Sequence, residues 1–398
     1  RRASDLLLLA PVPARADLRL CNLTPSKVGI ALGAGSAVGA DGLLTDPEWA
    51  PTAASLARKY DAPVVPMHVV GPYSRLFHLF DKVSQELRDV TLFHELLNKE
   101  GKPFGVDVVM PAKIPTEGSK MDLDSMIPPE HRAFVERTLD DLGVPPLPGG
   151  DRVDAGVLGW LHSVARSHVD VAMEHRRKYG QIKLIANALG SPPADVIQTA
   201  HDNGVLVAAL AGAKEHALHH VEAGVDIVIA QGYEGGGHTG EVTSMILWPD
   251  LVDAVGDTAP VLAAGGVGSG RQIAAAIALG AQGVWMGTYW LTAAEYKLGV
   301  PEGSDKPSTV QQALLKATSR DTVRRRIYSG KPARLLKTAW TDAWDAESAP
   351  EPLPMPLQNL LVSDAHQRIA AAQDPAVVAM PAGQIIGSLD GVVPVADT

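Results

Sequence analysis

His238 is the residue best placed for proton chemistry, because it stands directly behind three consecutive glycines, Gly235, Gly236 and Gly237, shortly after the apolar run Ile227–Ala230. An imidazole with an unperturbed pKa of ~6.5 can take a proton from a carbon acid or steady an anion at neutral pH. Glycines let a backbone approach a flat ligand or adopt positive φ without steric cost. Gln231 opens the same loop. Two further loops hold donors suited to a phosphate. Ala264, Gly265 and Gly266 lead into the glycine-rich stretch 265–270 and a helical pattern starting near Arg271, where free backbone N–H groups and the helix dipole favour an anion. Met286, Gly287 and Thr288 add amides and a hydroxyl at the end of the run Gly283–Met286.

These loops need strands behind them. The runs Ile227–Ala230, Val261–Ala264 and Gly283–Met286 each close on glycine or a small polar residue before a helical pattern resumes, which is the strand, loop, helix order of a parallel α/β protein. Phosphate donors at two adjacent strand ends match the place where α/β barrels bind phosphate, after strands 7 and 8. Adding Val28–Leu32, Pro63–Val70, Phe104–Met110, Leu184–Ala188 and Val205–Ala209 gives the eight strands of a TIM barrel. Asp107 and Asn187 are polar residues at the ends of two of these runs, placed either to cap backbone or to touch a ligand.

The connection 111–181 reads as a helical insertion, with helices at Pro128–Leu142 and Val157–Tyr179. His162, His168 and His175 on the second helix read as surface or interface residues, since no third metal ligand has suitable spacing. Beyond Thr288 the patterns Ser308–Thr318, Asp321–Ile327 and Gln358–Gln373 suggest a C-terminal helical lid, with the proline-rich 349–356 as a strap. Arg324, Arg325 and Arg326 then fall on a solvated helix face. Trp285, Trp340 and Trp344 either wall a pocket or pack a core.

The segments KPFGVDVVMPAK (102–113), LIANALG (184–190), GVLVAALAG (204–212), AGVDIVIAQGYEGGGHTG (223–240), PVLAAGGVGSGRQIAAAIALGAQGVWMGT (260–288), TSRDTV (318–323), GKPARLLKTAWTDAW (330–344) and AGQIIG (382–387) resemble, in order and spacing, the nitronate monooxygenases, formerly 2-nitropropane dioxygenases. The resemblance implies an FMN-dependent (β/α)8 barrel over 102–398. In it the AAGG and MGT segments hold the FMN phosphate, Gln231 and Gly235–Gly237 flank the isoalloxazine, and His238 faces the substrate. Asp107 stands where relatives often carry Asn near the flavin. Residues 1–101 lack the family's usual opening strands and are expected to supply the first barrel strands in another form. The stretch 46–104 resembles the later half of hemolysin-like glycerolipid acyltransferases, but no histidine has the required aspartate five residues on.

Composition narrows the function. A formal charge of −10 over 398 residues argues against a nucleic-acid partner. The single cysteine, Cys21, excludes an intrachain disulfide and points to a reducing cytoplasmic setting. No run reaches the roughly 18 apolar residues that span a bilayer. GAGSAVG (33–39) has its third glycine one place late for a dinucleotide loop and reads as a turn. The expectation is a flavin enzyme oxidising nitronates, nitroalkanes or a related carbon acid with O2. An NAD(P)H-dependent enoyl or enone reductase on the same fold, and a non-catalytic or lipid-associated protein, are the alternatives.

Overall fold

The structure is a computed structural model that describes residues 67–69, 103–110, 123–147, 162–296 and 306–395, with the backbone alone at 67–69 and 162–164. Seven parallel strands form one sheet: β1 (Met67–Val69), β2 (Phe104–Val108), β3 (Ile182–Asn187), β4 (Leu206–Ala211), β5 (Ile227–Gln231), β7 (Val261–Ala264) and β8 (Gly283–Trp285), side by side in that order. β6 (Gly237–His238) lies outside this sheet. The run Val28–Leu32, expected as a further strand, is outside the described residues.

Period-two alternation sorts the two faces of the sheet. Phe104, Val106 and Val108 pack against the helix α2 (His162–Tyr179), while Leu184, Ala186, Ala208, Ile227, Ile229, Leu262 and Ala264 form the inner cluster. In this register Asp107 sits beside Ala186 and shares its inward face. Helices α3 (Ala194–Asp202), α4 (Lys214–Glu222), α5 (Ser244–Val255) and α6 (Gly270–Ala278) follow strands β3, β4, β5 and β7 and cover the outer face. The Trp248 indole N–H lies 3.1 Å from both Ala230 O and Ala264 O, and so clips the ends of β5 and β7 together.

His168 and His175 correct the surface reading. Both are buried, and His175 lies edge-on to Phe104 at 5.5 Å, because α2 turns this stripe toward β2.

A second core joins the insertion to the C-terminal part. Helix α1 (Pro129–Asp141) begins with proline at its first position, where no N–H is needed, and stops before Gly143 at φ 68. Its Phe134, Val135 and Leu139 pack with Trp340 of α8 (Ala339–Ala343), with Trp344 at its end, and with Leu361, Val362 and Ile369 of α9 (Leu357–Ala372). These tryptophans are therefore core residues. Arg368 ties the two segments polarly, reaching Glu136 at 2.8 Å and the carbonyls of Val144 and Pro145. The described helix at 308–318 is shorter than expected: α7 (Thr309–Leu314) carries a capping box between Ser308 and Gln311.

The C-terminal part is not a purely helical lid. Residues Thr322–Arg325, expected in a helix, form β9, and Ala333–Leu336 form β10, which pairs antiparallel with both β9 and β6. Alternation explains the strand. Val323 packs on the second core, Arg324 turns toward Thr239, and Arg325 turns the other way to Asp345. The Arg324 side chain is 14% exposed, so the solvated-face reading fails for it.

β1 closes one side of β2 by parallel pairing. A fragment 102–398 lacks that strand and exposes the backbone edge of β2, so it is expected to aggregate. Light scattering of the purified fragment checks this; a monodisperse fragment would show that 1–101 adds nothing to the sheet.

Candidate active site

The loop after β5 is built to carry His238. Gly232 donates its N–H to Ala264 O at 3.0 Å, and a Cβ there would collide with Ser244 Oγ at 2.1 Å. Gln231 Nε2 donates to Gly236 O at 3.2 Å, bracing the loop from the strand end. Glu234 Oε2 accepts the Ser244 N–H at 2.9 Å, and its backbone carbonyl accepts the Gln384 N–H at 3.0 Å. Gly236 needs to be glycine: a Cβ would stand 2.8 Å from Gly383 N and 2.9 Å from Ala382 C. Gly237 takes φ 75, a conformation that favours glycine, and brings the chain into register with β10, Gly237 opposite Arg334 and His238 opposite Ala333.

His238 is thereby held against the C-terminal part. Its Nε2 lies 2.6 Å from Ser329 Oγ, and its ring is edge-on to Tyr328 at 6.5 Å. Burial pushes its pKa down to about 4, helped by the nearby Lys331 charge. The imidazole is neutral at physiological pH and suited to accept a proton. Tyr233, in the same loop, is bracketed by two guanidinium groups, Arg334 at 4.6 Å and Arg324 at 5.3 Å from its ring. Arg334 is buried and also donates to Tyr233 O at 3.0 Å, so the loop is tied by both ring and backbone.

The expected phosphate donors come together at the ends of β7 and β8. Ala264 is buried on β7, and Gly265 and Gly266 follow at φ 90 and 76. Among the described residues, the N–H groups of Gly265, Gly266 and Gly287 have no acceptor. A Cβ on Gly287 would meet nothing within 4 Å, so space lies open beside that amide. Met286 packs its side chain into the outer core and can offer only backbone. The Thr288 Oγ1 accepts the Gly383 N–H at 2.9 Å and keeps its own hydrogen to give. Unpaired amides, a hydroxyl, open space and the start of α6 fit a phosphate-bearing cofactor.

Asp107 and Asn187 behave differently. Asn187 is fully buried; its Oδ1 accepts the Met110 N–H at 2.9 Å, and its two amide hydrogens go to Met110 O and Gly190 O. The capping reading therefore accounts for every hydrogen its side chain can give. Asp107 Oδ1 is buried with no partner among the described residues, and burial raises the carboxyl pKa to about 7. A neutral carboxylic acid resembles an amide in shape, and its unpaired oxygen faces the sheet interior.

Ser329, Lys331, Tyr328 and Arg334 form part of this site and were not singled out by residue type. Lys331 and Arg334 fall in the segment GKPARLLK, whose role depends on β10 meeting β6, and Tyr328 and Ser329 stand just before it. Among the described residues no cluster of three metal-ligating side chains occurs, and no helix is long and apolar enough to cross a membrane.

A model of the family described as nitronate monooxygenase matches residues 78–398. The chain is 49% identical over 305 residues to a putative monooxygenase of Mycobacterium tuberculosis, covering 73% of this chain and 77% of that one. It is 40% identical over 154 residues to a Rhodococcus jostii octahydro-indene-carboxyl-CoA dehydrogenase, covering 39% of this chain and 41% of that one. A nitroalkane oxidase structure from Streptomyces ansochromogenes superposes with a TM-score of 0.60 at 24% identity, covering 83% and 85% of the two chains. The acyltransferase likeness of 46–104 finds no support, since the family match begins inside that stretch.

The raised pKa of Asp107 has a stability signature. Between its ordinary 3.8 and about 7 the folded state keeps a proton that the unfolded chain releases, so this residue's contribution falls as pH rises through that window. Asp107→Asn removes the dependence. Its stability relative to the parent is expected to improve from pH 4 to pH 8 in denaturant titrations; a constant difference would place the carboxyl in water.

Proposed function

This chain belongs to the nitronate monooxygenase family, and on that premise we propose that it holds FMN at the carboxyl ends of β5, β7 and β8 and oxidises nitronates with O2, together with the nitroalkanes that become nitronates on losing a proton. The observation that carries the reading is the neutral, buried His238, fixed beside a set of unpaired backbone donors. FMN, when bound, supplies the redox chemistry between substrate carbon and O2.

The chain supplies position and proton handling. The amides of Gly265, Gly266 and Gly287 and the hydroxyl of Thr288 would hold the phosphate. Gln231 and the glycine loop would leave room for the flat ring, and Asp107 would face it from β2 with a carboxyl that keeps its proton up to about pH 7. His238 would accept the substrate proton, because desolvation keeps its lone pair available down to low pH. Lys331, exposed beside it, gives the entrance a positive charge suited to an anionic substrate, while Arg324 is balanced by Glu241. Residues 1–101 would complete the barrel wall, and the single cysteine supports a reducing cytoplasmic setting.

A second reading, reduction of an enone or enoyl thioester with NAD(P)H, is favoured by the Rhodococcus relative, whose name specifies a CoA ester. Anaerobic consumption of NAD(P)H with an enoyl thioester, absent with a nitronate, would select it.

Two measurements test the leading reading. His238→Asn is expected to retain FMN while turnover of a neutral nitroalkane falls by ~10²–10⁴, the usual worth of a positioned base, and a preformed nitronate should suffer less. In the parent, kcat/KM for the nitroalkane should hold its base form down to an acid limb near about 4; a limb near the ordinary histidine value would contradict a desolvated base. Gly287→Ala adds a methyl group where the structure is open. It should leave the apoprotein Tm unchanged and weaken FMN binding by ~10-fold or more, about the loss of one charge-assisted hydrogen bond. Undiminished FMN affinity, measured by fluorescence titration, would move the phosphate elsewhere.

A further inference from the structure

Asp107 stands one residue before the carboxyl end of β2, with Ala186 of β3 beside it on one flank and Val69 of β1 on the other. It shares the inward face of the sheet with the apolar cluster that includes Leu184, Ala208, Ile229 and Ala264. The residue is 8% exposed, and its Oδ1 is enclosed with no partner among the described residues. A buried polar atom left without a partner calls for an explanation, and its surroundings offer one. Leu210 and Trp285, the last inward residues of β4 and β8, are only partly buried. The inner face therefore opens at the carboxyl ends of the strands, where the glycine turns leave their amides without acceptors.

No charge faces this carboxyl. Every inward position described on β3, β4, β5, β7 and β8 holds an uncharged residue, Gln231 being the polar one. Lys183 of β3 is exposed, and His175 of α2 packs on Phe104 behind the sheet, as His168 lies buried on the same helix. In the C-terminal part Arg324 is balanced by Glu241, Arg334 is bound to Tyr233 O, Lys331 is exposed, and the neighbouring His238 is neutral. Burial alone raises the Asp107 carboxyl, to about 7. A group in that condition answers a charge that appears nearby, because a negative neighbour favours the protonated acid.

We propose that Asp107 is the proton acceptor that accompanies reduction of the cofactor, its carboxylate taking up a proton as the ring above the inner face becomes negative. A ring that receives two electrons and one proton is left with one negative charge. The Asp107 carboxylate takes one further proton from solvent, an O–H bond forms on it, and the summed charge of ring and carboxyl is unchanged. When O2 takes the two electrons, both protons leave with them. This role rests on the reading that FMN occupies the carboxyl ends of the strands, and it concerns the charge of the ring rather than the removal of the substrate proton.

The test uses the FMN-loaded full chain, reduced stepwise in a spectroelectrochemical cell across a range of pH. Above about 7 the potential of the parent should fall more steeply with pH than below it. The added slope is up to tenfold in the equilibrium constant per pH unit, or about 30 mV for a two-electron couple. Asp107→Asn keeps the size of the side chain and should lack the added slope while running parallel to the parent at acid pH. Infrared difference spectra of the parent at pH 8 should show a protonated-carboxyl band in the reduced state, assigned by ¹³C-aspartate labelling whether or not the variant folds. Parallel lines at every pH, or a reduced parent without the band, would overturn the proposal. A parent that binds no FMN would sink the proposed function and this role together, whereas bound FMN with parallel lines sinks the role alone.

Discussion

Two residues of β6 pairing with two of β10 is a small contact, yet the site geometry depends on it. Without it, the glycine loop after β5 would be a long excursion from the sheet with no fixed end. With it, His238 acquires a defined neighbour in Ser329, Tyr233 acquires two guanidinium groups, and Gly236 comes to rest on Ala382 and Gly383. The pairing works because the second core is rigid. Trp340, Trp344, Phe134 and Leu361 anchor β10 from behind, so the small sheet has a stable surface to form on.

Desolvation sets the electrostatics of this arrangement. Asp107 and His238 carry opposite kinds of titratable group, and burial drives both toward their uncharged forms. His238 is thus neutral at physiological pH, while Asp107, raised to about 7, stands close to its midpoint there. Charge is kept at the rim, on Lys331, Arg324 and Glu241. Although the chain carries ten surplus negative charges, Lys331 places an exposed cation beside His238, and Arg324 is balanced by Glu241 at 2.8 Å, so neither of these cations is a buried unpaired ion.

Much of the sheet was legible because parallel strands buried on both faces spell themselves as unbroken apolar runs, as in Ile227–Ala230 and Val261–Ala264. The glycine turns proposed to hold the phosphate were legible because glycine is needed where φ turns positive, as at Gly265 and Gly266. The strand at Thr322–Arg325 was not. Three arginines in succession look like a solvated helix face until β10 supplies a partner, and only then does alternation become visible. The burial of His175 on α2 escaped for a similar reason: it packs against Phe104, far earlier in the chain. Asn187 was ambiguous in sequence because a strand-end amide serves a turn and a ligand equally well, and its bonds to Met110 and Gly190 appear only once the strand ends are in place.

The contact of Gly236 with Ala382 and Gly383 carries a consequence for the order of events during synthesis. A chain emerging from the ribosome exposes its strands and glycine loop well before residues 329–336 and 381–384 exist, and folding proceeds from the N-terminal side as elements appear. At that stage the nascent chain can build its phosphate loops, yet His238 has neither Ser329 beside it nor a fixed backbone under it. The proposed capacity to remove a proton therefore arrives only after residues 329–336 and 381–384 have been made. Chains that stop short of these residues would thus carry the proposed cofactor cradle without the fixed histidine.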